Sequence, residues 1–441
     1  MTKIEKMIND IHSAMSAAAY LPPAETVESV SAAPEMMIGG KRYVNFGVNG
    51  YLGLGEHPEV RASIVEAAKV SGTGAAASRW TGGTQSVHHE LERAIARFKD
   101  PTGKKDALVF TAGYLTNIGT IAGLMAPQLM PFTHKDVNTM KPAWGKGVIY
   151  SDRLNHRSIV EGCMLAESYS YGEVSVQRYR HCDPNHLERM LGKSSGERKM
   201  IITDGVFSLH GHIAPLKEIT ELAGKYDAMV YVDDAHGIGV LGENGRGTAE
   251  YWGVEESVQI QMGTFSKAIG GSGGYVVAAP EIVEYLRYEA ASYIFQTAMP
   301  PAAATGLITA IKVLGSEEGA QLRKKLDDNR TYLSGELTRR GFNTLSSPSQ
   351  IIPILVGNEA KTKEVAAHLK RAGIFTFSYM YPAVPIGQAI IRVNIMASHT
   401  RAHLDRLLNA LEEIGRREGL IGDESFTSDE SDGVELGIAD L

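Results

Sequence analysis

Met229-Val-Tyr-Val-Asp-Asp-Ala-His236 reads as a short buried strand that runs straight into two carboxylates and a histidine. In open α/β sheets, ligand groups collect beyond the carboxyl ends of strands, and Asp233 falls there. A carboxylate that only caps the turn after a strand fits the same residues. Further short apolar runs lie on either side in the chain: Ala107-Leu-Val-Phe110, Gly147-Val-Ile-Tyr150, Met200-Ile-Ile-Thr203 and Tyr275-Val-Val277. Helical stretches alternate with them, as at 88–100, where Leu91, Ile95 and Phe98 share one face. Strands alternating with helices predict an α/β fold with a large, mostly parallel sheet covered on both faces.

The ends of the chain read differently. Ile4, Met7, Ile8, Ile11 and Met15 recur at helical spacing before Pro22-Pro23, as in an N-terminal arm that packs on something else, such as a second subunit. After Pro300-Pro301 the pattern becomes a smaller α+β unit. Its last helix carries Leu404, Leu407, Leu408, Leu411 and Ile414 on one stripe and fades at Gly415 and Gly419. The expected organisation is an arm at 1–45, a large domain at 46–300, a small C-terminal domain at 301–421 and a disordered acidic tail at 422–441.

That tail carries the whole net charge. The chain of 441 residues has 44 Lys+Arg against 51 Asp+Glu, and seven of those acids lie in 422–441 with no base among them. The neutral body offers no general attraction to phosphate backbones, so nucleic acid is not an expected partner. No apolar run is long enough to cross a bilayer, and the charged start Met1-Thr-Lys-Ile-Glu-Lys6 is unlike a signal peptide. The default address is the cytoplasm. Two cysteines, Cys163 and Cys182, make no disulfide framework, and no Cys/His spacing reads as a metal site.

The strongest chemical signal is Gly263-Thr-Phe-Ser-Lys-Ala-Ile-Gly-Gly-Ser-Gly-Gly274. Lys267, beside hydroxyls and before a flexible stretch, can form a Schiff base with an aldehyde cofactor, while Thr264 can donate to a phosphate. A solvated loop lysine is the plainer alternative. Thr111-Ala-Gly113-Tyr114-Leu-Thr-Asn117 follows a strand, and a small-residue turn opening a helix offers N–H groups to an anion. Asp152-Arg-Leu-Asn-His156 also follows a strand, and a ring there can lie against a planar cofactor. Gly237-Ile-Gly-Val-Leu-Gly242 matches a dinucleotide fingerprint, but Glu243-Asn-Gly-Arg-Gly247 continues the turn where a helix should open, so nicotinamide or flavin binding is not expected.

Together with Asn49-Gly-Tyr-Leu-Gly-Leu54, Gly72-Thr-Gly-Ala-Ala-Ala-Ser-Arg79, Gly83-Thr84 with His88, Asp204-Gly-Val-Phe-Ser208 and Thr297-Ala-Met-Pro-Pro301, these motifs in this order resemble the α-oxoamine synthases. Those are pyridoxal-phosphate enzymes of fold type I, and the resemblance runs from about residue 40 to about 415. It implies that residues 46–300 bind pyridoxal 5'-phosphate and that Lys267 is the Schiff-base lysine and acid/base at Cα. It implies Asp233 at the pyridine nitrogen, His236 and Ser208 at the phenolic oxygen, and His156 stacked on the ring. Gly113, Tyr114 and Thr264 would hold the phosphate, with Thr297 reaching in from the partner of a homodimer. Arg392 and Asn49 would receive the substrate carboxylate, a task that suits the guanidinium fork.

The implied activity is a biosynthetic acyl transfer. A small amino acid condenses with an acyl thioester, on coenzyme A or an acyl carrier protein, and loses CO2 to give an aminoketone. Transamination or retro-aldol cleavage is the rival within the fold, and a non-catalytic cofactor-binding protein is the rival outside it. Four places depart from the family pattern. Gly50 replaces an acidic or amide residue. Ser78 replaces the Thr of glycine-using members, which favours alanine or serine, by about 1–3 kcal/mol for one methyl. His210-Gly-His212 replaces an acidic turn and reads as a surface turn lacking a third metal ligand. Residues 127–146 look like an insertion that shapes acyl entry or meets a carrier protein.

Overall fold

The computed structural model describes residues 1–17, 25–126 and 145–421, so the acidic tail and nearly all of the expected insertion lie outside the described residues. A seven-stranded sheet forms the centre. Its strands are β1 (Asp106–Phe110), β2 (Gly147–Asp152), β3 (Val174–Tyr179), β4 (Arg198–Asp204), β5 (Met229–Asp233), β6 (Ile260–Thr264) and β7 (Gly274–Ala278). Their order in space is β1-β7-β6-β5-β4-β2-β3. The pairs from β3 through β6 are parallel. Strand β7 runs against both β6 and β1. The link Phe265–Gly273 is too short for a parallel crossover, which takes about a dozen residues or more, so the chain must turn back. Lys267 sits in that return.

Alternate residues of the strands feed two apolar layers, as the two-residue period requires. Ile149, Met200, Ile202 and Tyr231 join one, and Tyr150, Ile201, Val230 and Val232 join layers on the opposite side. Helices Gly113–Met125, Arg157–Tyr169 and Leu216–Tyr226 cover the sheet. With both faces buried, only the strand ends are open, and the site assembles at one set of ends.

The smaller unit contains an antiparallel sheet in the order Ile351–Gly357, Ala389–Asn394, Phe377–Tyr379. Helix Arg401–Arg417 lies beside it, with its expected leucine stripe buried, and continues past Gly415. Helix Pro301–Leu314 packs on helices Pro58–Ser71 and Ser86–Lys99, so residues 301–314 go with the large unit. Strand Lys41–Asn45 pairs with Ile374–Phe375, so part of the expected arm goes with the small unit. The helix Lys3–Ala17 leaves Ile4, Met7, Ile8, Ile11 and Met15 exposed.

The Gly237–Gly242 fingerprint opens no helix, because the next one starts at Thr248. Its first glycine, with Gly247, instead closes on Asp234. That buried carboxylate pairs with Lys99 at 3.3 Å and accepts from Thr248 N and Oγ1 at 3.0 and 2.5 Å. A Cβ on Gly237 or Gly247 would come within 2.0 or 1.6 Å of an Asp234 oxygen.

Candidate active site

At the carboxyl ends of β4, β5 and β6 lies a cavity of about 310 Å³, lined by Lys267, His156, Asp233, His236, Gly113, Tyr114, Ser208 and Thr264 among others. The sequence-expected catalytic residues thus meet in one chamber. Asp233 ends β5 and is buried. Asn117 Nδ2 donates to its Oδ2 at 2.6 Å and the Ala235 N–H to its Oδ1 at 3.0 Å. Asn117 is itself fixed, because its Oδ1 accepts from Tyr231 OH at 2.7 Å and its Nδ2 donates to Ser158 Oγ at 2.8 Å. His156 caps helix Arg157–Tyr169, and its N–H donates to Asp204 Oδ2 at 3.0 Å. Burial, then the adjacent Asp233 charge, pushes the Asp204 carboxyl well above the usual carboxylate range.

Lys267 reaches this group from the β6–β7 return, and its Nζ lies 2.8 Å from His236 Nε2. Burial pushes its ammonium down to about 8, against the upward pull of Asp233 and Asp204. Burial, with Lys267 and Arg392 nearby, also holds the His236 imidazole well below its ordinary value, so that ring is neutral at physiological pH.

The anion seat is built by helix Gly113–Met125. Its N-cap is Ala112, which supplies no side-chain cap, so the first N–H groups stay open to a ligand. A Cβ on Gly113 would stand 3.0 Å from Thr264 Oγ1, so glycine lets β6 approach the helix start. Open N–H groups beside hydroxyls, a carboxylate at the far side and an amine between them fit a planar, phosphate-bearing aldehyde.

Arg392 and Asn49 come together from opposite ends of the sequence. Asn394 Nδ2 donates to Gly47 O at 2.8 Å, laying strand Ala389–Asn394 beside the segment before Asn49. Arg392 Nη2 then donates to Asn49 Oδ1 at 3.1 Å, and Arg392 Nε is buried without a hydrogen-bond partner. Ser78 and Thr297 pair in an isolated antiparallel bridge and do not line the chamber.

His210 and His212 are corrected. They form no surface turn, since His210 is 9% exposed and stacks on His212. His212 Nδ1 lies 2.9 Å from His181 Nε2, and its Nε2 lies 3.1 Å from Leu345 O, tying the two units together. Asp152, His181 and Cys182 offer ligand atoms within 4.8 Å of one another. The Asp152 oxygens, however, already accept from Leu154 N and Cys182 N, both at 2.9 Å. Sequence reasoning gave no role to Asn117, Asp204 or Tyr51, although each stands in a motif it quoted. Their contacts span long sequence distances and leave no local pattern.

Residues 41–411 match the family described as aminotransferase class I and II. The 8-amino-7-oxononanoate synthase of Thermoanaerobacter pseudethanolicus is 40% identical over 90% of this chain and 93% of its own length. The enzyme of the same name from Geotalea daltonii is 39% identical over 88% and 92%. A serine palmitoyltransferase from S. paucimobilis, solved with a bound PLP-myriocin aldimine, superposes with a TM-score of 0.84 at 31% identity, covering 96% of this chain and 100% of that one.

Proposed function

Because the chain belongs to the aminotransferase class I and II family and, within it, to the pyridoxal-phosphate-dependent α-oxoamine synthases, we propose that it condenses alanine or serine, in preference to glycine, with an acyl thioester. The donor is an acyl-coenzyme A or an acyl carrier protein, the products are an aminoketone and CO2, and the enzyme works as a cytoplasmic homodimer. The observation that carries this reading is a line of polar contacts from Arg392 and Asn49 through Tyr51 and His236 to the amine Lys267.

Gly113, Tyr114 and Thr264 would hold the cofactor phosphate, His156 its ring, Asp233, steadied by Asn117, its nitrogen, and His236 and Ser208 its phenolic oxygen. Bound there, the cofactor supplies an electron sink for negative charge at the amino acid Cα. Lys267 Nζ takes the Cα proton and later returns one. Arg392 and Asn49 hold the carboxylate while Cα bonds to the acyl carbon and the thiol leaves. The carboxylate then departs as CO2, and Cα is reprotonated. Thr297 reaches the phosphate of the partner's site, and Ser78, which pairs with it in an antiparallel bridge, selects the amino acid.

A screen of amino acids with and without acyl thioesters tests this reading. CO2 release should require both substrates. Formation of a keto acid without CO2 would mean transamination, and aldehyde release without a thioester would mean retro-aldol cleavage.

A further inference from the structure

Tyr51 is wholly buried and does not line the chamber, yet it touches the residue that touches Lys267. Its hydroxyl lies 2.6 Å from His236 Nδ1 and 3.2 Å from Asn49 Oδ1. Asn49 Oδ1 also accepts from Arg392 Nη2 at 3.1 Å, and His236 Nε2 lies 2.8 Å from Lys267 Nζ. One line of polar contacts therefore runs from Arg392 through Asn49, Tyr51 and His236 to Lys267.

Counting hydrogens gives this line a direction. The Tyr51 hydroxyl has one hydrogen and two acceptors beside it. The contact to His236 Nδ1, at 2.6 Å, is much shorter than the one to Asn49 Oδ1, at 3.2 Å, so the hydrogen goes to Nδ1. A neutral His236 then carries its own hydrogen on Nε2, aimed at Lys267 Nζ. An ammonium has no lone pair with which to accept it, whereas a free amine has one.

We propose that Tyr51 is a positioning residue that fixes the tautomer of His236 and so holds Lys267 as the free amine that captures the aldehyde cofactor. Capture uses the Nζ lone pair to form a bond to the aldehyde carbon, and the carbonyl oxygen leaves as water with the two amine hydrogens. Asp233 and Asp204 favour the ammonium, and Arg392 opposes it. His236 also faces Arg392 and His156, and Tyr51 faces Arg392, Gln350 and Tyr379. The inference rests on Lys267 as the attachment lysine.

Tyr51→Phe removes the hydroxyl and keeps the ring. The test follows pyridoxal phosphate capture by the full chain, freed of cofactor, across pH. In the wild type the rate should rise with pH and level off above about 8. In Y51F the midpoint should move up by about one pH unit, making capture about tenfold slower at pH 7, with the same plateau at high pH. A midpoint that stays in place, whether the rate is normal or uniformly low, overturns the proposal. Nitrogen-15 NMR of His236 in the wild-type chain is a check that needs no variant. Hydrogen on Nε2 is expected, and hydrogen on Nδ1 overturns it. Lys267→Ala should abolish covalent capture, and capture that persists would sink the attachment reading itself.

Discussion

Asp233→Asn is the sharpest probe of the chamber. The side chain keeps its volume but has one acceptor oxygen where the carboxylate offered two. Asn117 Nδ2 at 2.6 Å and the Ala235 N–H at 3.0 Å both donate to it, so one of them would now face an NH2 group. That mismatch should cost about 1–3 kcal/mol of stability. The catalytic effect is separate. A carboxylate roughly 4 Å from a protonated ring nitrogen would be worth about 4 kcal/mol at an effective dielectric of 20, and that proton is what lets the ring draw negative charge from Cα. A neutral hydrogen bond retains about 1–1.5 kcal/mol, leaving a loss near 2.5–3 kcal/mol, or about 100-fold in rate. The share of Lys267 present as the free amine would rise, because Asp233 pulls its titration upward and removing that charge lowers it. The phosphate seat at Gly113 is untouched, so cofactor affinity should change less than about tenfold, the step set by 1.4 kcal/mol. The assay is deuterium exchange at the amino acid Cα followed by NMR, with cofactor retention after dialysis measured beside it. Exchange within about threefold of wild type, a change of under 1 kcal/mol, would refute the role given to Asp233.

Arg392→Lys loses the fork and its contact to Asn49. The KM for the amino acid should rise about 10- to 100-fold with a smaller change in kcat, as steady-state kinetics will read. Asp234→Ala strands Lys99 and Thr248 in the interior and should cost about 3–5 kcal/mol in denaturant unfolding. His210 is pushed down to about 4 by burial and by the neighbouring His212 and His181. Its unfolded form binds a proton first, so its contribution to stability is present above the ordinary histidine value and is lost as pH falls from about 6.5 to about 4, by roughly 2–3 kcal/mol. His210→Phe, which keeps the stacked ring, should flatten that part of the urea-midpoint profile against pH.

The strand runs were legible because burial on both faces demands unbroken apolar residues, and β1, β2, β4, β5 and β7 all fall on quoted runs. Lys267, Asp233, His156, Gly113 and Thr264 were legible because strand-to-loop transitions mark where a parallel sheet opens. His210 and His212 were misread for a physical reason. A Gly between two polar residues signals a turn but carries no information about what covers it, and here the loop around Leu345 does. Pro300-Pro301 likewise starts a helix without fixing what that helix packs on.

Sequence by itself determined the mostly parallel α/β plan and the residue types of the chamber. Both depend on the character of neighbouring residues: apolar runs, and glycine where a helix must begin. The tertiary structure decided which distant groups share hydrogens. Arg392 meets Asn49 because Asn394, at the end of its strand, hydrogen-bonds the segment before Asn49. Asn117 steadies Asp233 because a helix start lies over β5, and Tyr51 reaches His236 from a segment far upstream. Hydrogen bonds are directional and fixed within tenths of an ångström, so only the packed fold selects them. In this chain they decide which atoms hold the protons.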